Sequence, residues 1–301
     1  MYNESVVIYI QKEDTMKALL WKWVAGLIGI GLILSACGSN APAGSGTPGG
    51  TAGTSEAKVT QSFTVSGDVT VTIDTYNGEI KVKAGGSDQV QVEVTKHGGG
   101  TTDAQAKADL DNIQLSLTQA AGNVKLIATH KGVVPTNSTA SFIVTMPAGS
   151  ALVASVDNGT VTVDGVNGDV TTTVGNGDIT ITNAGKGDMS AKTTNGNLTL
   201  GGSNVASVKA STSNGDASFA GSIAESKAAN RIDAGNGSVS VTLPGNAQFG
   251  FDALTSNGKV TSDFTFQGDT TPTSIKGTLG ASPTFSLVVR VKNGEITLKK
   301  S

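Results

Sequence analysis

Cysteine is almost missing from this sequence: Cys37 is the only one among 301 residues. An intramolecular disulfide and a multi-cysteine metal site are therefore both excluded. Histidine is nearly as scarce. His97 and His130 are too few for a histidine-rich metal centre, and each sits near glycine after a strand-like run, where a lone histidine is ordinarily solvated. Aromatic residues make up 4% of the chain and charged residues 15%, which argues against a helical enzyme. The formal net charge is only −3. It is unchanged without residues 1–36, because Lys12, Lys17 and Lys22 cancel Glu4, Glu13 and Asp14. Electrostatic capture of nucleic acid is not indicated, and no nucleic-acid partner is expected. No cofactor motif is present either.

What is abundant is Gly, at 40 residues, together with Val, Thr, Ser and Asn from residue 59 onward. This is the composition of strands joined by tight turns. Ahead of it, Lys17 and Lys22 precede an apolar run from Trp23 to Leu34, the layout of an export signal. The run is shorter than the roughly 20 apolar residues of a membrane span. Leu34-Ser35-Ala36-Cys37-Gly38 resembles the lipobox of bacterial lipoproteins: an aliphatic residue, two small ones, then the cysteine whose thiol takes the lipid. Residues 1–36 thus read as a cleaved signal, with Met16 as the simpler start, and Cys37 as the acylated, palmitate-type lipidation site. An exported protein anchored by its lipid to the cell membrane or outer membrane follows. Residues 38–58, rich in Gly, Ser, Thr and Pro, read as a flexible linker with a root-mean-square reach of roughly 25 Å.

From 59 to 301 apolar residues alternate with period two: Val69, Val71 and Ile73; Val90, Val92 and Val94; Ile113, Leu115 and Leu117. This is the signature of half-buried strands. Asp103 to Leu110, with Ala104, Ala106 and Ala108 behind an Asp103 cap, reads as a short helix or a polar loop. The strongest internal signal is Asn-Gly followed by a polar and then an apolar residue, beginning at Asn77, Asn158, Asn167, Asn176, Asn195, Asn214, Asn236, Asn257 and Asn293. From Asn158 through Asn176, Asn195, Asn214, Asn236 and Asn257 the steps stay near 20 residues, the period of a solenoid. The fold expected is all-β, a β-solenoid or parallel β-helix-like stack of roughly 20-residue coils. Asn and Gly would turn the corners by adopting positive φ. Val161 and Val163, Ile179 and Ile181, Leu198 and Leu200, Ala217 and Phe219, and Val239 and Val241 would form one interior stack, with Thr162, Thr180, Thr199 and Ser240 facing solvent. Phe249, Phe251, Phe264, Phe266 and Phe285 suit a closing end. An antiparallel β-sandwich is the alternative, because Asn-Gly is also a hairpin signal.

These early strands, the short helix, a strand ending in Met146-Pro147-Ala148-Gly149 and the Asn-Gly repeats together resemble a family of bacterial exported β-strand-repeat domains of unknown function, catalogued as candidate adhesins. The resemblance spans about residues 60–300. It implies a β-helix-like domain and carries over no catalytic residues.

The chemistry-bearing residues fit no enzyme site. Asn176-Gly177-Asp178-Ile179 recurs at near-nonapeptide spacing, but Asp169, Asp178, Asp188 and Asp216 adjoin the apolar residue directly and lack the glycine run of calcium-binding repeats. Polysaccharide-cleaving enzymes need carboxylates clustered together or with Arg or Lys. Asp164, Asp169, Asp178 and Asp188 could line one edge, yet basic residues are not in phase, and Arg231 and Arg290 lie far apart in sequence. No Gly-x-Ser-x-Gly elbow appears. The function expected is therefore non-enzymatic: a surface lipoprotein whose β-repeat domain adheres to, or binds, glycans, surface proteins or other envelope polymers. A polysaccharide-active enzyme and an envelope structural or stress-sensing component are the alternatives.

Overall fold

The computed structural model describes residues 33–35, 53–86, 88–225 and 228–301. Cys37, most of the signal segment and most of the linker lie outside the described residues. The strand Ser55–Thr64 takes in the last residues of the stretch read as linker, and Ile33–Ser35 pairs antiparallel along it.

Period-two alternation, broken at regular intervals by Asn-Gly, folds as a parallel β-solenoid. Two 12-stranded sheets enclose a single apolar core. One coil is a strand of the second sheet, an Asn-Gly corner and a strand of the first sheet. Val170–Asn176 with Ile179–Gly185 and Asp188–Asn195 with Leu198–Val205 are two such units. Neighbouring coils pair in parallel register, so equivalent residues stack: Val161 on Ile179, Ile179 on Leu198, Leu198 on Ala217, Ala217 on Val239. The five expected pairs from Val161 and Val163 to Val239 and Val241 are all at most 2% exposed. A single coil has too little apolar surface to fold alone, and stacking supplies it.

Two features depart from the even 20-residue step. The coil at Asn257 is not the neighbour of the coil at Asn236. The chain passes over one layer to lay down Phe249–Asn257 and runs through the hairpin Gln267–Thr271 and Ser274–Leu279. It then returns to insert Phe285–Asn293 between Ala229–Asn236 and Phe249–Asn257, parallel to both. The second departure is at the other end. Thr139–Pro147 joins Ile80–Gly85 in parallel, and Gln89–Gly98 and then Ser55–Thr64 extend the first sheet beyond it antiparallel, while the hairpin Ile113–Ala120 and Asn123–His130 extends the second. The antiparallel pairing considered from the sequence is thus confined to the two ends.

The helix runs Asp103–Asn112, and its cap is Thr102, not Asp103. The Thr102 hydroxyl accepts the Gln105 N–H at 3.3 Å, and the Gln105 side chain accepts the Thr101 N–H at 2.9 Å. Such reciprocal bonds satisfy donors that the first turn leaves open. Ala106 is the helix's fully buried apolar residue, and Leu110 packs half-buried against the core. At the opposite end the five phenylalanines gather as expected: Phe249 stacks on Phe285 at 5.2 Å and meets Phe251, Phe264 and Phe266 edge-on.

Candidate functional site

The corners carry the most regular chemistry. From Asn158 onward each corner asparagine donates its side-chain amide to the asparagine one coil before it in the stack, and Asn77, the first, donates to the Ser138 carbonyl at 3.2 Å. The file runs Asn77, Asn158, Asn176, Asn195, Asn214, Asn236, Asn293 and Asn257 at 2.7–2.9 Å. These asparagines do not adopt positive φ, contrary to the expectation; the following glycines do. At Gly196, with φ of 152°, a Cβ would also collide with the carbonyl of Gly177 in the coil beneath. Asn is there for its two-ended amide, Gly for its missing side chain. The polar residue after glycine forms a second file: Asp178 Oδ1 accepts the Asn197 N–H at 2.7 Å, Asn197 Oδ1 that of Asp216 at 2.9 Å, and Asp216 Oδ1 that of Ser238 at 2.7 Å. Asn167 belongs to neither file; its N–H bonds to the Ala148 carbonyl at the opposite corner.

The four aspartates that could have lined one edge are split among three places. Asp178 is at the Asn-Gly corner, Asp169 and Asp188 at the opposite one, where Asp169 Oδ1 accepts the Asp188 N–H at 2.9 Å. Asp164 ends a strand, and hydrogen bonds from Asn183 and Thr182 hold its carboxyl below the usual carboxylate range.

Of the histidines, His97 is exposed beside Glu56 at 3.5 Å. His130 is not the solvated loop residue expected. It ends the strand Asn123–His130 with a 2% exposed side chain, and its Nε2 lies 2.7 Å from Asp109 Oδ1 on the helix. Asp109 Oδ2 accepts the Gly99 N–H at 2.8 Å, and Ser138 bonds to both Asp109 and the Tyr76 hydroxyl. Burial pushes the Asp109 carboxyl up, but the Gly99, Ser138 and His130 contacts outweigh it and hold the group below its ordinary value. Burial raises the Tyr76 phenol and lowers the Lys96 ammonium, which donates to the Leu110 and Ile113 carbonyls. A Ser, a His and an Asp meet here, but the serine and histidine both bond to the aspartate. A nucleophile relay needs histidine in the middle, and Ser138 is fully buried. The cluster fastens the helix to the first coil. A shallow cleft of about 710 Å³ opens beside it, lined by Tyr76, Val134, Pro135, Thr136 and Asn158 among others.

The outward faces are long and differ from each other. On the first sheet a file of β-hydroxyl residues crosses seven adjacent strands in register: Thr162, Thr180, Thr199, Ser218, Ser240, Thr297 and Thr261. On the second sheet the outward positions include Lys192, Lys209, Arg231 and Arg290. Parallel pairing sets Asp233 directly across from Arg290, so the two arginines, distant in sequence, stand on neighbouring strands. The lysines were not singled out from the sequence. Their only signal was an outward place in an alternating strand, which says nothing until the register of neighbouring coils is known.

The family described as Toastrack DUF4097 matches residues 69–231, more than half of the chain. No curated protein matches. Among solved structures, a candidate cell adhesion protein from Clostridium sporogenes is similar at 11% identity and a TM-score of 0.39, covering 80% of this chain and 99% of its own. A candidate adhesin from Bacteroides fragilis has 12% identity and a TM-score of 0.42, covering 80% and 96%. A candidate lipid binding protein from Parabacteroides distasonis has 15% identity and a TM-score of 0.27, covering 80% and 97%.

Proposed function

The chain belongs to the Toastrack DUF4097 family, and on that footing we propose a surface lipoprotein that presents its β-solenoid, without catalysis, to envelope or surface polymers. The address rests on Lys17, Lys22, the apolar run and Leu34-Ser35-Ala36-Cys37: export, cleavage, acylation of Cys37, and a Gly/Ser/Thr/Pro tether that lifts the domain from the headgroups.

The hydroxyl file is the observation that carries the binding half of the reading. Strands lie about 4.8 Å apart, so a polymer laid along the stack meets a hydroxyl oxygen at every step, with those of Ser218 and Thr261 already donating within the protein. Each such bond is worth only about 0.5–1.5 kcal/mol. Affinity therefore accumulates with polymer length, as many weak contacts do on a tethered surface. Glycans, whose hydroxyls repeat along the chain, fit this pattern; a surface protein with an extended polar strand is the other partner class.

The test is binding of the full-length protein, held in detergent, to an array of extended polysaccharides, beside attachment assays on cells with and without the gene. Retention of long glycans over short ones, and reduced retention in Thr180→Lys and Thr199→Lys, are expected. No glycan bound and unchanged attachment would reject the reading.

A further inference from the structure

We infer that the outer face of the second sheet holds a separate site for an acidic polysaccharide, with Lys192, Lys209 and Arg231 as its cations. The inference rests on the reading of the domain as a polymer-binding module, but assigns a different face and a charged ligand class.

The argument begins with register. Parallel pairing sets Ser190 across from Lys209 and Lys192 across from Ser211, then Lys209 across from Arg231 and Ser211 across from Asp233. Like charges directly opposite on neighbouring strands destabilise a sheet. The two arginines of this face are each paired with a carboxylate: Arg231 Nε bonds to Asp233 Oδ2 at 2.6 Å, and Arg290 Nη2 lies 3.0 Å from Asp252 Oδ2. Lys192 and Lys209 have no ion pair or hydrogen bond among the described residues. In a chain of net charge −3, two uncompensated lysines beside an arginine, all on adjacent strands, are a local conflict of the kind that functional sites retain.

Shape and hydrogen-bonding capacity narrow the ligand. The cations rim a shallow depression of about 270 Å³ floored on the outward side by Ser190, Ser211 and Ala229, with Ala191 and Ala210 buried in the core beneath. Small residues there leave room for a chain to lie between the long side chains. Arg231 engages Asp233 through Nε, which leaves its terminal nitrogens for a carboxylate fork. Ser190 and Ser211 stand on the outward side of their strands between the cations, so the same depression offers hydroxyls to a sugar. A ligand that brings both anionic groups and hydroxyls satisfies the whole set, and an acidic polysaccharide does so at each repeat.

The test uses full-length protein in detergent and two immobilised probes with one backbone, polygalacturonate and its fully methyl-esterified form. Stronger binding to the acidic probe than to its ester is expected, with the difference shrinking as salt rises. Lys192→Ser with Lys209→Ser should lower that binding by roughly tenfold or more, on the scale of a lost charge-assisted bond, while Lys192→Arg with Lys209→Arg retains it. Both pairs should melt at or above the wild-type temperature, since the serine pair removes a repulsion. Equal binding to both probes, or unchanged binding by the serine pair, overturns the inference. Retention of neutral chitin with no retention of polygalacturonate also overturns it and leaves the hydroxyl-file reading standing; loss of all glycan binding removes both.

Discussion

Asparagine and glycine recur together along one line of corners, yet they are not equally important to stability. Asn195 is exposed, and losing its amide removes one bond up and one down the file while water can reach both former partners. Asn195→Ala is therefore expected to cost about 1 kcal/mol. Gly196→Ala meets both an unfavourable φ and the carbonyl of Gly177, and should cost at least ~2 kcal/mol. Paired denaturant melts check the order, and a milder glycine variant would contradict it. The buried aspartate makes a pH prediction. Asp109 has a folded-state pKa below its unfolded value, so its stabilisation is fully present above about pH 4, near the unfolded value. It is lost as pH falls through the lower folded value. The wild-type melting temperature should decline over that acidic window, and Asp109→Asn, already destabilised at neutral pH, should show a shallower decline. Parallel pH profiles for the two proteins would contradict this.

Among the elements, strands of the middle coils were legible because each carries its own proof. Apolar alternation names the inner face, and Asn-Gly marks where the strand stops. The helix was legible in place but not in its cap, because Thr102 and Asp103 are both good caps and only the reciprocal Gln105 bond chooses between them. The His130–Asp109 contact was hidden for a different reason. It joins a strand end to a helix 21 residues away, and no local pattern records which buried groups will meet. The order of the last coils was hidden too, since Asn236, Asn257 and Asn293 bear the same motif whatever their sequence in the stack. The cluster of phenylalanines at that end gives the element-scale prediction. Phe249 is fully buried and touches four other rings, so Phe249→Ala should cost about 3–5 kcal/mol. Hydrogen exchange should place the loss first in Phe249–Asn257 and the Gln267–Leu279 hairpin, while a uniform loss along the stack would argue against a distinct closing end.

At the scale of the molecule, anchoring and folding are expected to be separable, because Cys37 lies ahead of Ser55–Thr64, the strand with which the repeat domain begins at the end of the tether. Cys37→Ala should abolish incorporation of labelled palmitate and release the protein from membranes, with an unchanged circular dichroism spectrum and melting temperature. Retained label in that variant would refute the assignment. The insertion of Phe285–Asn293 between two strands that precede it has a kinetic corollary. While that layer is empty, Ala229–Asn236 and Phe249–Asn257 each have an unpaired edge separated by a gap one strand wide. Filling it requires a contact across 57 residues of chain to the first of them, and long-range parallel pairing is intrinsically slow. Until it is filled, the vacancy can accept the equivalent strand of another copy as readily as its own. The far end of the solenoid should thus be the last part to close and the part where crowding during synthesis most readily cross-links one molecule to the next.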